Sequence, residues 1–288
     1  MWREDERVRK QGGSGMNAPF PQHRFRSVFI SDVHLGTKGC RSDFLADFLA
    51  RMSCEHLFLV GDIIDGWRLR KTWYWDAGHD AVMHLILRHA ANGAEVVYIP
   101  GNHDEMFRAW LPMNLEIGGV RLAAETVHVT ADGRRLLVTH GDSFDSVVRH
   151  AKFLALLGSW AYDLALDLNR LFNLARRKLG YGYWSLSAWL KRQVKEAVKT
   201  IDRFEVALTD EARARGFDGV VCGHIHHAGI RMVNGILYIN DGDWVESCTA
   251  VVEHYDGQLE LISWATLNKL SFLAPRGRDL PAGILVPA

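Results

Sequence analysis

Five short polar fragments, several of them directly after an apolar run, narrow the folds open to this chain. Asp32-Val33-His34 follows Val28-Phe29-Ile30, and Gly61-Asp62-Ile63-Ile64-Asp65 follows Leu57-Phe58-Leu59-Val60. Gly101-Asn102-His103-Asp104 follows Val96-Val97-Tyr98-Ile99 and Pro100, His140-Gly141-Asp142 closes Leu136-Leu137-Val138, and Gly223-His224-Ile225-His226 ends a run opened by Val220. Short apolar runs of this kind read as buried strands. In an open α/β sheet, ligands gather outside the C-terminal strand ends, so one rim would carry all five fragments.

The segments between them specify the connections. Residues 43–52 place Phe44, Leu45, Phe48 and Leu49 on one helical face, and 76–91 form a second helical stretch that Asn92-Gly93 ends. Strand, helix, strand, helix, strand implies βαβ units and a largely parallel layer. Residues 118–139 change to hairpin character, with turns at Gly118-Gly119 and Asp132-Gly133, and short strands recur from Val220 to Trp264. The resulting fold class is α/β, with two sheets face to face and flanking helices. Residues 25–143 and 216–267 form the core, and 144–215 a helical insertion. The insertion leaves the sheet after His140 and returns before His224, so it emerges beside the site as a lid. Residues 1–24 read as a disordered tail in which Met16 offers an alternative start, and 268–288 as an irregular tail with three prolines.

The 34 basic and 34 acidic residues cancel, so no global field draws nucleic acid, and no nucleic-acid partner is expected. Cys40, Cys54, Cys222 and Cys248 form no CxxC pair, which fits a reduced, cytoplasmic protein. No apolar run reaches the length of a membrane span, so any membrane contact would be peripheral, on the cytoplasmic face of the inner membrane.

Asp32, His34, Asp62, Asn102, His140, His224 and His226 form the candidate ligand set. Carboxylates, imidazoles and an amide oxygen suit divalent Mn²⁺, Fe²⁺ or Zn²⁺, and no thiolate favours a structural zinc. Seven donors exceed the needs of one catalytic ion. Two ions bridged by Asp62 would use them all, and such a pair clamps a phosphoryl group. A single buried His or Asp is more often a structural hydrogen-bond partner; the complete set is poorly explained that way. His79, His84, His89, His150 and His227 fit no ligand pattern and read as surface or packing residues.

In combination these fragments resemble the dispersed signature of the calcineurin-like metallophosphoesterases: DxH, GDxxD, GNH(D/E), H and GHxH. The resemblance covers roughly residues 26–264. It implies a four-layer αββα sandwich with a two-metal site at the strand ends. It also implies one metal on Asp32, His34, Asp62 and His226, and a second on Asp62, Asn102, His140 and His224. The metals would be Mn²⁺ first, with Fe²⁺ or Zn²⁺ as alternatives. The same likeness makes His103 the group that protonates the leaving oxygen or stabilises the transition state, oriented by Asp65.

Protein phosphatases of the family carry Arg directly after the second Asp of GDxxD; this chain has Gly66 and then Trp67. Gly66-Trp67, the helical insertion and Gly242-Asp243-Trp244-Val245-Glu246 look like the bacterial UDP-2,3-diacylglucosamine pyrophosphate hydrolases of lipid A synthesis. That subgroup's best known members have Arg where this chain has His103. The substrate implied is a lipid-linked nucleotide, or another small phosphoester. Trp67, Arg149, Lys152, Arg176 and Arg177 are the expected substrate-binding residues, with lid aromatics such as Trp160 and Trp184 facing acyl chains. Two readings remain beside it: a soluble phosphodiesterase or phosphatase acting on nucleotides, and a non-catalytic interaction module.

Overall fold

The computed structural model describes residues 23–144 and 186–267. The expectations for the stretch before His23, for the tail from Asn268 on, and for Arg149, Lys152, Arg176, Arg177 and the aromatics of the lid lie outside the described residues.

Strands β1 (His23–Ile30), β2 (Met52–Val60) and β3 (Glu95–Ile99) run parallel at the centre of a seven-stranded sheet. Its order is β12-β11-β1-β2-β3-β5-β4, where β4 is Glu116–Ile117, β5 Val120–Leu122, β11 Thr249–Glu253 and β12 Leu259–Ser263. The second sheet has the order β6-β7-β8-β10-β9, from β6 (Thr126–Val129), β7 (Arg135–Val138), β8 (Gly219–Cys222), β9 (Gly229–Val233) and β10 (Ile236–Asn240). Within it β7, β8 and β10 are parallel.

Side-chain alternation shows why the central strands read as unbroken apolar runs: they are buried on both faces. Phe29, Phe58, Val60, Val97 and Ile99 point inward and meet Leu136, Val138, Val221, Leu237 and Ile239 of the second sheet. Val28, Ile30, Leu57, Leu59, Val96 and Tyr98 point outward, against α1 (Ser42–Arg51) and α3 (Ala77–Ala91). Leu45, Phe48 and Leu49 supply the apolar stripe of α1, and Val82 and Ile86 that of α3. Asp76 caps α3 by accepting from Gly78 and His79 N–H, while His79 Nδ1 reaches back to the Asp76 N–H. His79 and His89 are therefore buried packing residues, His89 bonding the Leu49 carbonyl at 2.9 Å.

The fourth layer is α4 (Leu186–Ala214), whose Phe204, Leu208 and Ala212 pack on Leu137, Val220 and Tyr238 of the second sheet. The architecture is the expected αββα sandwich. The end of α4 falls within the 144–215 range read as insertion, yet its apolar face forms part of the core. A continuous helical period conceals the point at which a helix passes from cover to core layer.

Opposite the motif rim, Glu253 fastens the two sheets together. It is fully buried and accepts hydrogen bonds from Arg26, Ser27, the Ala131 N–H and His128 of β6. Burial pushes its pKa up, but His128 first, then Ser27 and the Ala131 N–H, hold it at about 2 against an ordinary 4.5. A folded-state pKa depressed in this way stabilises above pH 4.5, and the contribution is lost as pH falls through about 2. Glu253→Gln is expected to cost about 3 kcal/mol at pH 7. In denaturant titrations the gap to wild type should narrow steadily below pH 4.5; a gap independent of pH would contradict this account.

Candidate metal centre

Because β1, β2 and β3 are parallel, their loops open on the same rim, and the loops after β7 and β8 face them from the second sheet. The first two loops are stitched by their backbones: Asp32 N–H donates to Gly61 O at 3.0 Å, and Val33 and His34 N–H to Asp62 O at 3.0 and 2.9 Å. Gly66 N–H to His103 O, at 2.9 Å, ties in the third. A Cβ at Gly101 would collide with the Asp62 carboxylate, and one at Gly223 with Ser31 and Asp32. Glycine at these motif positions is thus what lets the loops close around the carboxylates.

Asp32, His34, Asp62, His224 and His226 all adopt left-handed backbone, with φ of 47°, 54°, 54°, 71° and 53°. Such positions cost non-glycine residues about 1–3 kcal/mol each and persist only where the surroundings enforce them. Here they turn successive side chains toward common points. Asp32, His34 and His226 hold donor atoms within 4.8 Å of one another; so do Asp62, His140 and His224, and so do His34, Asp62 and His103. Asp62 belongs to two of these groups.

Asp32 Oδ1, Asp62 Oδ2 and His140 Nε2 of these groups are buried without a hydrogen-bond partner, and so is Asn102 Oδ1 of the third loop. Orphaned buried polar atoms are costly unless a ligand satisfies them, and hard or borderline cations fit this oxygen and imidazole set. His140 Nδ1 donates to Val60 O at 2.8 Å, which aims Nε2 at Asp62 Oδ2, 3.5 Å away. Such a backing bond orients a ligating histidine and fixes its tautomer. His226 Nε2 lies 3.0 Å from Asp32 Oδ1.

The charges interlock. Burial would raise both carboxylates, but His226, with His34 and His140, holds Asp32 well below the carboxylate range, and His140 with His34 holds Asp62 at about 2. Burial conversely opposes protonation of the imidazoles, yet Asp32, Asp65 and Asp62 push His34 up to about 9, and Asp62 with Asp32 pushes His140 to about 10. Concentrated negative charge that attracts protons also attracts divalent cations, which displace those protons on binding.

His103 Nδ1 is 3.2 Å from Asp65 Oδ2, its Nε2 4.0 Å from Asp62 Oδ2, and its ring lies against Trp67 with centroids 4.3 Å apart. Asp65 also approaches His34 Nδ1 at 3.4 Å and caps α2 (Gly66–Lys71) by accepting the Arg68 N–H. Although burial pushes Asp65 up, His103, His34 and that N–H hold it well below the usual range. Trp67 is a partly exposed wall beside His103, its Nε1 donating to Glu105.

Several contributors lie outside the candidate ligand set. Asp104 is fully buried and accepts from the Ile63 and Gly101 N–H and from Tyr98 Oη, locking the second loop to the third. Ser31 Oγ lies between Asp32 Oδ2 at 2.7 Å and Asp241 Oδ1 at 2.5 Å, and burial pushes Asp241 well above the carboxylate range. Trp244, within the Gly242–Glu246 stretch, is fully buried and packs on Phe48, so it is core.

This fold, with a rim of carboxylates and imidazoles, defines a metallophosphoesterase. The model described as calcineurin-like phosphoesterase matches residues 25–228, and the chain belongs to that family. The family depends on a pair of metal ions, and the clustered His and Asp groups provide candidate sites for them. Among curated relatives, the DNA polymerase II small subunit of Halobacterium salinarum is 28% identical over 149 residues, covering 43% of this chain; the chain spans only 28% of that protein. UDP-2,3-diacylglucosamine hydrolase of Haemophilus influenzae is 23% identical over 239 residues, covering 79% of this chain and 94% of its own. The Bordetella pertussis protein of the same name is 29% identical over 208 residues, with 68% and 75% covered. Among the described residues no helix is long and apolar enough to cross a membrane.

Proposed function

We propose that the chain is a two-metal hydrolase cleaving a UDP-linked diacylated glucosamine to UMP and the lipid sugar 1-phosphate. The observation that carries the catalytic part is the convergence of orphaned buried donors on one rim. The substrate part is supported by relatives named for that hydrolysis, which align along most of their own length. Asp32, His34, Asp62 and His226 would hold one ion, and Asp62, Asn102, His140 and His224 the other, with Mn²⁺ the first choice. When bound, such ions supply Lewis-acid charge to phosphoryl oxygens and a nucleophilic hydroxide at neutral pH.

The chain's own residues do the rest. Asp62 joins the two groups, and the Val60 carbonyl fixes the direction in which His140 points. His103 stands over the site with Asp65 behind it, placed to give a proton to the oxygen that departs with the electron pair of the broken P–O bond. Contact with a membrane surface through the 144–215 segment belongs to the same proposal.

The test is UMP release from UDP-2,3-diacylglucosamine by purified protein with Mn²⁺ and detergent. Release that stops with a chelator is expected. No release, while an aryl phosphodiester is still cleaved, would keep the hydrolase and discard this substrate.

A further inference from the structure

His34, Asp65, His103 and His226 also line one end of a cleft of about 670 Å³ that extends beyond the metal cradle. Its outer wall comes from two loops that pack together: Gly36 sits directly beneath Leu69 of α2, and Leu35 bridges to Ile64. This contact brings Lys38 of the first loop and Arg68 and Lys71 of α2 to the same cleft. All three are exposed, and none forms an ion pair with a carboxylate among the described residues. Lys38 lies over the Tyr74 ring, 5.7 Å from its centroid, and Tyr74 Oη is occupied by Asp76. Asp65, the acid lining this cleft, faces the two histidines and the Arg68 N–H.

An ordinary solvated helix end would scatter its cations. Arg70 does so: it shares the last turn of α2 with Arg68 and Lys71 and is exposed, but does not line the cleft. Three cations without acidic partners, converging beside a phosphoryl-binding cradle, match a second anionic phosphoryl group covalently attached to the first.

We propose that Lys38, Arg68 and Lys71 form an anion subsite for the phosphoryl group next to the one held at the metal centre. It would make the enzyme selective for diphosphates over monophosphates. The inference rests on the two-metal reading above and names the residues that select its substrate class. It does not depend on the lipid portion of the substrate.

The experiment uses the full chain with excess Mn²⁺, hydrolysing bis(p-nitrophenyl) phosphate, with UMP and UDP as competing inhibitors. In wild type UDP is expected to inhibit about 10- to 100-fold more tightly than UMP. Arg68→Ala/Lys71→Ala should bring that ratio close to one, Lys38→Ala should lower it in part, and Arg70→Ala should leave it in place. Melting temperatures identify any variant that fails to fold, and Lys38→Ala, on an exposed loop, keeps the test decisive in that event. Equal inhibition by UDP and UMP in wild type, or a ratio that survives in the double variant, overturns the subsite while the hydrolase stands. A wild type that cleaves nothing with Mn²⁺ overturns the two-metal reading and the subsite with it.

Discussion

Asp62→Asn is expected to lower metal-dependent turnover by about 10³-fold or more, because several kcal/mol of charge stabilisation at phosphorus depend on the bound ions. Asp62 is fully buried, and its Oδ2 faces both His140 and His103 at 3.5 and 4.0 Å without a hydrogen-bond partner. Its Oδ1 accepts the His103 N–H at 2.7 Å, a bond that asparagine can keep. The loops should therefore hold their shape while the charge shared by the two donor groups is gone. Mn²⁺ should raise the melting temperature of wild type, as any ligand of the folded state does, and leave that of the variant nearly unchanged. A variant with near-normal activity and a normal Mn²⁺-induced shift would refute Asp62 as the bridge.

His103→Ala is expected to slow turnover by about 10²-fold while both ions stay bound, the usual scale for losing a general acid. The ring is only partly covered and rests between Asp65 and Trp67, so its removal leaves an open space at the mouth of the site. Asp65 retains His34 and the Arg68 N–H, which keeps the support behind the cradle in place. Loss of a bound ion in the variant would instead make His103 a ligand, which its grouping with His34 and Asp62 allows geometrically.

Much of this site was readable because the fold makes it periodic. Each parallel strand ends at the same rim, so Ile30, Val60 and Ile99 announce Asp32, Asp62 and Asn102 in turn. Glycines at 61, 101 and 223 mark close approach, which is a local property and survives in the sequence. Long-range partnerships leave no such trace. Asp241 lies 210 positions from Ser31, and Glu253 meets residues of β1 and β6 more than a hundred positions away. Asp104 ends the third fragment without any mark of its role, and only the fold shows its carboxylate collecting N–H groups from two loops. Arg68 and Lys71 did carry a signal: spaced three apart directly after Asp65, they share a helical face turned toward the site. Their significance depends on Lys38 arriving from another loop.

The most direct test of the central claim is anomalous diffraction from crystals grown with Mn²⁺. Two peaks are expected, about 3.5 to 4 Å apart. One should lie among Asp32, His34, Asp62 and His226, the other among Asp62, Asn102, His140 and His224. A single peak, or a peak held by His34, Asp62 and His103 in place of either, would contradict the account.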